Sequence, residues 1–295
     1  MSQADHHLSS FEAQPGHIVN VASVPQRSPF RYPGGKTWLV PRIRRWLKNK
    51  ASEFIEPFAG GGIISLTVAA EDLAEHVTMV ELDDQVAAVW RTIIDTDGGN
   101  WLADRISSFD LTQESLQDVL ASEARTLGEK AFQTILKNRT HHGGILAPGS
   151  APLKKGENGK GIRSRWYAET LKKRILDIAS IRTNITFIEG DGIEVIKQNI
   201  DRVDAAFFID PPYTAAGKKA GSRLYRHFEL DHEKLFDLIS NVTGDFLMTY
   251  DNADEVRKLA ERHGLDTELV AMKNTHHAEM NELLIARNLD WARSA

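Results

Sequence analysis

The chain has no cysteine among its 295 residues. That absence removes disulfide frameworks, cysteine-ligated zinc and thiol nucleophiles in one step. No run of about 18 apolar residues occurs, so the sequence offers no membrane span. The N-terminus lacks the basic-then-apolar pattern of a signal peptide. What remains suits a cytoplasmic protein of ordinary globular make-up, 41% hydrophobic and 26% charged. Its length fits one large domain, or one domain carrying a sizeable insertion.

An excess of positive charge is also missing, since the formal net charge is −5. Its distribution is more informative than its sum. Lys137, Arg139, Lys154, Lys155, Lys160, Arg163, Arg165, Lys172, Lys173 and Arg174 crowd one stretch, opposed only by Glu157 and Glu169. Lys218, Lys219, Arg223 and Arg226 form a second group between Thr214 and His227, with no acid among them. Two basic segments on an acidic body suit a polyanion held on one face, although solvated loops can carry the same charge.

Residues 1–28 are polar and aperiodic, which predicts a flexible leader. Beyond them, strand patterns at 53–58, 77–82, 186–189, 205–209 and 246–250, and weaker ones at 267–272 and 282–287, alternate with helical patterns at 63–71, 84–94, 168–180 and 232–241. This alternation implies a parallel sheet with helices on both faces. The last two strands lie close together around His276-His277 and can form an edge hairpin. From 98 to 164 no strand is evident, and the run 142–163 is rich in Gly, Pro and Lys. Such an interruption reads as an inserted, mainly helical subdomain with a basic loop.

Two motifs carry chemistry. Glu56-Pro57-Phe58-Ala59-Gly60-Gly61-Gly62 follows a strand and opens a helix, where glycines let the backbone approach a ligand. A dinucleotide site or a plain tight turn can look the same, but Glu81 ends the next strand about twenty residues on, where a carboxylate can accept from ribose hydroxyls. The second motif, Asp210-Pro211-Pro212-Tyr213, follows a buried strand. Its consecutive prolines stiffen a rim at the strand's carboxyl end. There, the Asp210 carboxylate and the Pro211 carbonyl can accept both N–H bonds of an aromatic exocyclic amine, with Tyr213 stacking on its ring. Upstream, Phe30-Arg31-Tyr32-Pro33-Gly34-Gly35-Lys36 is by itself only a turn.

The ordered set Tyr32-Pro-Gly-Gly-Lys36, Glu56-Pro-Phe-Ala-Gly-Gly-Gly62, Glu81 and Asp210-Pro-Pro-Tyr213 resembles the Dam-like, alpha-group adenine-specific DNA methyltransferases from about Ser28 to Asn288. The resemblance implies an α/β fold, a Rossmann-like seven-stranded S-adenosylmethionine-dependent methyltransferase sheet with an inserted, mainly helical target-recognition subdomain. Its domains would be a leader at 1–28, a catalytic domain at 29–97 and 175–295, and the insertion at 98–174. It implies cofactor contacts from Tyr32, Lys36, Glu56, Phe58, Gly60, Gly62, Glu81 and Asp210, with Asp191 a weaker candidate. Asp210, Pro211, Pro212 and Tyr213 would be catalytic. Lys137-Asn138-Arg139-Thr140-His141-His142-Gly143-Gly144 is similar to the family's segment leading into its DNA-recognition loop, but has histidines where aromatics are usual. With the basic segments it gives Asn138, Arg139, His141, Lys154, Lys155, Arg163, Arg165, Lys218 and Arg226 as DNA-contact candidates. Asn281-Glu282-Leu283-Leu284 resembles the closing strand.

The expected activity is methylation of the 6-amino group of an extruded adenine in double-stranded DNA. Host marking, restriction–modification beside a cognate endonuclease, or phage or mobile-element defence would each fit. An RNA adenine methyltransferase and a non-catalytic DNA-binding protein of the same fold are the alternatives. No metal is expected: His6-His7 and His276-His277 with Glu279 lack a third ligand at recognisable spacing.

Overall fold

The computed structural model describes residues 24–32, 34–156, 159–212, 230–273 and 279–293. Seven strands form: β1 (Ala51–Glu56), β2 (Ala74–Glu81), β3 (Ile185–Glu189), β4 (Ala205–Ile209), β5 (Asp245–Asp251), β6 (Asp266–Lys273) and β7 (Glu279–Ala286). They make one sheet in the order β3-β2-β1-β4-β5-β7-β6. The first five pair in parallel, whereas β7 runs antiparallel to both β5 and β6. That is the Rossmann-like seven-stranded sheet that the family resemblance implies. The last two strands do pair at the sheet edge; the residues between them, including His276-His277, lie outside the described residues.

Side chains alternate across the sheet with the period of two that a strand imposes. Phe54, Val77, Met79, Phe208 and Leu247 face one core, while Ile55, Val80, Phe207, Ile209 and Met248 face the other. Because β4 is covered on both sides, every one of its residues is buried, and its sequence is continuously apolar.

The second core is closed by α8 (Gly192–Gln198), α9 (His232–Ser240) and α10 (Asp254–Arg262). The first is closed by α1 (Val40–Trp46), α2 (Ile63–Ala70), α3 (Asp84–Ile94) and α7 (Ala168–Ser180). The segment read as an insertion contributes α4 (Gly98–Ser107), α5 (Gln113–Ala121) and α6 (Leu127–Thr140). Leu102, Ile106, Leu116, Ile135 and Leu136 from these helices join the same cluster as Phe54 and Val77. Residues 98–140 are therefore helical as expected, but they extend the sheet's own core instead of building a second one. The leader boundary also moves. Val24 and Ser28 are buried and Arg27 pairs with Glu71 at 3.1 Å, so 24–28 is packed chain.

Helix starts follow local chemistry. Asp83 caps α3 by accepting from the backbone N–H of Gln85 and Val86, and Asp191 caps α8 through Ile193 N–H. No helix among the described residues is long and apolar enough to cross a membrane.

The strand order reverses between β1 and β4, with β2 and β3 on one side and β5 on the other. A crevice opens at the carboxyl ends of strands where the order reverses. The glycine turn leaves β1 there, and Asp210-Pro211-Pro212 leaves β4 beside it. Phe208, fully buried at the centre of this arrangement, is expected to cost about 3–5 kcal/mol when replaced by Ala. Equilibrium urea unfolding measures that loss.

Candidate active site

The glycine turn is held from both sides. Gly60 and Gly62 adopt φ of 47° and 63°, which side chains other than glycine rarely accept. A Cβ on Gly60 would lie 2.7 Å from the Tyr32 ring, and one on Gly62 would lie 2.6 Å from the Met79 methyl. Below, the indole of Trp90 donates to Gly60 O at 3.0 Å. Tyr32 is thus packed directly over the turn, and Phe58 is half-buried at its edge.

Glu81 closes this side. Its Oε2 accepts from Gly60 N–H at 2.9 Å and its Oε1 from Asp83 N–H at 2.8 Å, so the carboxylate ties the end of β2 to the glycine turn. The next residue, Leu82, is 47% exposed, an apolar side chain presented at the lip of the crevice. Sequence reasoning passed over Leu82; its signal was an apolar residue where the strand had already ended. Asp191 is exposed at the start of α8, and the following Gly192 abuts the Pro57 carbonyl, which brings the β3–α8 turn against the glycine motif.

On the catalytic side, Asp210 Oδ1 receives two donors: the Thr249 hydroxyl at 2.8 Å and the Lys36 ammonium at 3.0 Å. Lys36 is 3% exposed, also donates to Gly34 O at 3.0 Å, and lies 3.4 Å from Glu282 Oε2. The upstream turn therefore enters the site through its lysine. Asp251 and Glu56 add to the acidic field around Asp210 and Lys36. Tyr250, buried behind Asp210, hydrogen-bonds His232 Nδ1 at 2.9 Å. Thr249, Glu282, Asp251, Tyr250 and His232 were not among the expected residues. Glu282 had one signal, a carboxylate in an apolar strand; Thr249 had none. Pro211 and Pro212 follow at the rim, and Tyr213 lies outside the described residues.

Burial raises several of these acids above the usual carboxylate range. Desolvation lifts Glu56 to about 8, against the hydrogen bond from Ser65 N–H and with help from Asp210. It lifts Glu81 to about 7, opposed by the Asp83 and Gly60 amides. Glu282 reaches about 7 through desolvation, with Lys36 pulling the other way. Lys36 faces Asp210, Glu282 and Asp251, so carboxyl groups outnumber ammonium groups in this part of the crevice. Among the described residues no group of three metal-binding side chains is placed to hold an ion.

The basic segment divides in two. Asn138 is fully buried: its amide donates to Arg31 O at 2.9 Å and Gly144 O at 2.6 Å and accepts from Arg31 N–H at 2.8 Å. Arg139, 4% exposed, donates to Pro29 O through Nε at 2.9 Å and also through Nη2. His141 is buried, bonds Ser150 Oγ at 2.9 Å, and is pushed down to about 4 by burial and by Lys137 and His142. These three candidates for DNA contact are corrected: all three are buried, and the hydrogen bonds they make are to the chain itself. Asn138 and Arg139 fasten residues 29–31, while His141 organises the following loop. That loop is not structureless, because Leu153 N–H and His142 N–H pair with Thr140 O and Ala151 O. Lys154, Lys155 and Arg163 are exposed and Arg165 half-buried, with Arg163 donating to Leu111 O at 2.7 Å. Lys218 and Arg226 lie outside the described residues.

Residues 32–132 match the D12 class N6 adenine-specific DNA methyltransferases. The match runs over about a third of the chain and takes in Tyr32, Lys36, Glu56, the glycine turn and Glu81. Over that third of the chain it agrees with the family resemblance and supports the enzyme class of an adenine methyltransferase. No curated protein matches the chain. Among solved structures it is similar to a candidate RNA methyltransferase from Pyrococcus horikoshii, at 11% identity over 87% of this chain and 83% of that one, with a TM-score of 0.39. It is similar also to the precorrin-6y C5,15-methyltransferase of Geobacter metallireducens GS-15, at 11% identity, 84% and 85% coverage and a TM-score of 0.36. A third is the rRNA methyltransferase aviRa of Streptomyces viridochromogenes, at 10% identity, 87% and 86% coverage and a TM-score of 0.37. Likeness at this level carries no argument about substrate.

Two outcomes follow from the geometry. The raised carboxyls favour their protonated forms in the folded state, so their contribution is complete below about pH 4.5 and is lost as pH rises through 7 to 8. Buried His141 acts in the opposite sense between about 4 and 6.5. The melting temperature of the ligand-free protein is therefore expected to fall between about pH 6.5 and 8, and Glu56→Gln should flatten that fall in a thermal-shift series. Separately, Asn138→Ala should cost about 2–3 kcal/mol by leaving buried backbone groups unpaired. Equilibrium urea unfolding measures that loss.

Proposed function

We propose that the protein is a site-specific DNA methyltransferase that transfers a methyl group from S-adenosylmethionine to the 6-amino group of an adenine swung out of the duplex. The observation that carries this reading is the meeting of Asp210-Pro211-Pro212 with the glycine turn at the strand-order reversal, with Asp210 gripped by Lys36 and Thr249. When bound, S-adenosylmethionine supplies an electrophilic methyl group on a sulfonium. The excess of carboxyl groups over the single lysine suits that cation and its ammonium group. In this reading Glu81 serves the ribose, with Leu82 and Asp191 on the adenine side. Tyr32, Phe58, Glu56, Gly60 and Gly62 line the middle of the cofactor, and Lys36 and Asp210 meet its amino-acid end.

An adenine amine is a poor nucleophile because its lone pair is delocalised into the ring. The Asp210 carboxylate and the Pro211 carbonyl accept its two N–H bonds and draw the nitrogen toward tetrahedral geometry. The lone pair would then form the N–C bond as the C–S bond breaks and the thioether leaves, and the nitrogen would pass one proton to the Asp210 carboxylate or to water. Fixing Oδ1 with two donors holds the carboxylate in one orientation, so it needs little rearrangement when charge moves. Extrusion of the base brings it to this rim, where Tyr213 stacks on it. Residues 98–174 serve target recognition, with Lys154, Lys155, Arg163 and Arg165 on the phosphate backbone, joined by Lys218 and Arg226. Double-stranded DNA is the partner, in the setting of host marking, restriction–modification beside a cognate endonuclease, or defence against phage and mobile elements in the cytoplasm.

Asp210→Ala is expected to lower methyl transfer by at least about 10²–10³-fold while the protein stays folded and bound to DNA. Methylome sequencing after expression of parent and variant in a methylation-free host reads out activity, base and target sequence together. Full retention of 6-methyladenine in the variant, or none in the parent, would overturn the reading.

A further inference from the structure

Residues 28–31 form a strap that leads into Tyr32, and its fastening concentrates positive charge in one place. The Ser28 carbonyl accepts from Arg174 Nη1 at 3.0 Å, and the adjacent Pro29 carbonyl accepts from Arg139. Two guanidinium groups thus converge on consecutive carbonyls. Arg31 follows on the strap itself, its backbone clamped by Asn138 at both N–H and C=O. Carbonyls provide hydrogen bonds but no counter-charge.

Several arginines elsewhere in this protein meet carboxylates, while Arg182 and Arg287 donate to carbonyls. Arg44 pairs with Glu71, Arg91 with Glu189, Arg202 with Asp204, and Arg293 with Asp266. Arg31, half-buried, has no hydrogen-bond or ion-pair partner for its guanidinium among the described residues. Burial and the repulsion of Arg174, Arg31 and Arg165 together bring Arg139 down to about 9, and no carboxylate opposes them there. Tyr167 acts as a counterweight on both Arg139 and Arg31, and it is 53% exposed. Like charges gathered in a half-buried place without a counter-ion disfavour the fold, and an anion relieves them.

We propose that Arg31 and Arg174, with the charge of buried Arg139 behind them, form a phosphate seat for the nucleic-acid strand that carries the target base, with the Tyr167 ring alongside as a surface for a neighbouring sugar or base. The seat rests on the function proposed above and extends it, since none of the exposed lysines of the recognition segment is needed to build it. Its position explains its use. The next residue after Arg31 is Tyr32, packed on the glycine turn, and Lys36 at the end of the same turn touches Asp210. A phosphodiester held at Arg31 is anchored on the chain that leads into the candidate active site.

Arg31→Gln decides it, with Arg174→Gln as a second variant and Arg31→Lys as the rescue. The probe is a random-sequence duplex of about 20 base pairs, titrated by fluorescence anisotropy at several salt concentrations. Arg31→Gln should weaken binding to all sequences alike and reduce the slope of log affinity against log salt by about 1. Arg31→Lys should restore most of that slope. In the absence of DNA, Arg31→Gln should melt at the same temperature as the parent or higher, because it removes a repelling charge. Unchanged affinity and slope in both glutamine variants would overturn the seat, as would a melting temperature for Arg31→Gln well below the parent. If the parent methylates DNA and Arg31→Gln binds as the parent does, the seat falls and the methyltransferase reading stands. If the parent neither binds nor methylates DNA, that reading falls and takes the seat with it.

Discussion

A lysine ammonium buried among carboxyl groups is the contact through which the separate parts of this protein meet. Lys36 comes from the upstream turn, Asp210 from the end of β4 and Glu282 from β7. Without the lysine, three or more carboxyl groups would share a poorly hydrated crevice, and their pKa values would climb until most were neutral. With it, Asp210 is held by an ion pair and by Thr249, while Glu56 and Glu282 sit well above the ordinary carboxylate range. The crevice is left short of positive charge, which is the electrostatic setting in which a sulfonium binds well.

The same turn that delivers Lys36 is fixed at its other end by the helical segment. Asn138 and Arg139, at the last turn of α6, grip residues 29–31, and Tyr32 then packs over Gly60 and Gly61. The helical segment and the glycine turn are therefore mechanically linked through residues 29–32. A displacement of α6 would carry Tyr32 with it. The packing of α4, α5 and α6 into the sheet's first core limits such displacements, because the cluster that holds these helices also holds Phe54 and Val77.

Much of this was legible in the sequence because it depends on local periodicity and on backbone chemistry. Strand β4 and helices α3 and α7 fall where the apolar patterns place them, and the glycine turn and Asp210-Pro211-Pro212 stand at the strand ends that the motifs predict. Charge was less informative about place. Arg139 and His141 count as basic residues in a basic stretch, yet both are buried, since a tally of charge carries no information about which carbonyl or hydroxyl lies within reach. Thr249 and Asp251 come from a strand whose pattern announces only a core, and their meeting with Asp210 depends on the pairing of β4 with β5. Glu282 shows the intermediate case: its apolar neighbours mark burial, but its partner, 246 positions earlier, is a matter of topology.

The strand β7 has a further consequence for the order in which the site comes into being. It lies between β5 and β6, and β6 joins the sheet only through it, so the two strands add to the edge of β5 together and bring Glu282 to Lys36, 246 positions away. Contacts this distant in sequence form late, since a long loop must close before they bring any gain. A chain still emerging from the ribosome already carries the glycine turn and the Asp210 loop, but Lys36 has not yet acquired its second carboxylate. The crevice thereby acquires its full set of charges only when the edge of the sheet is complete.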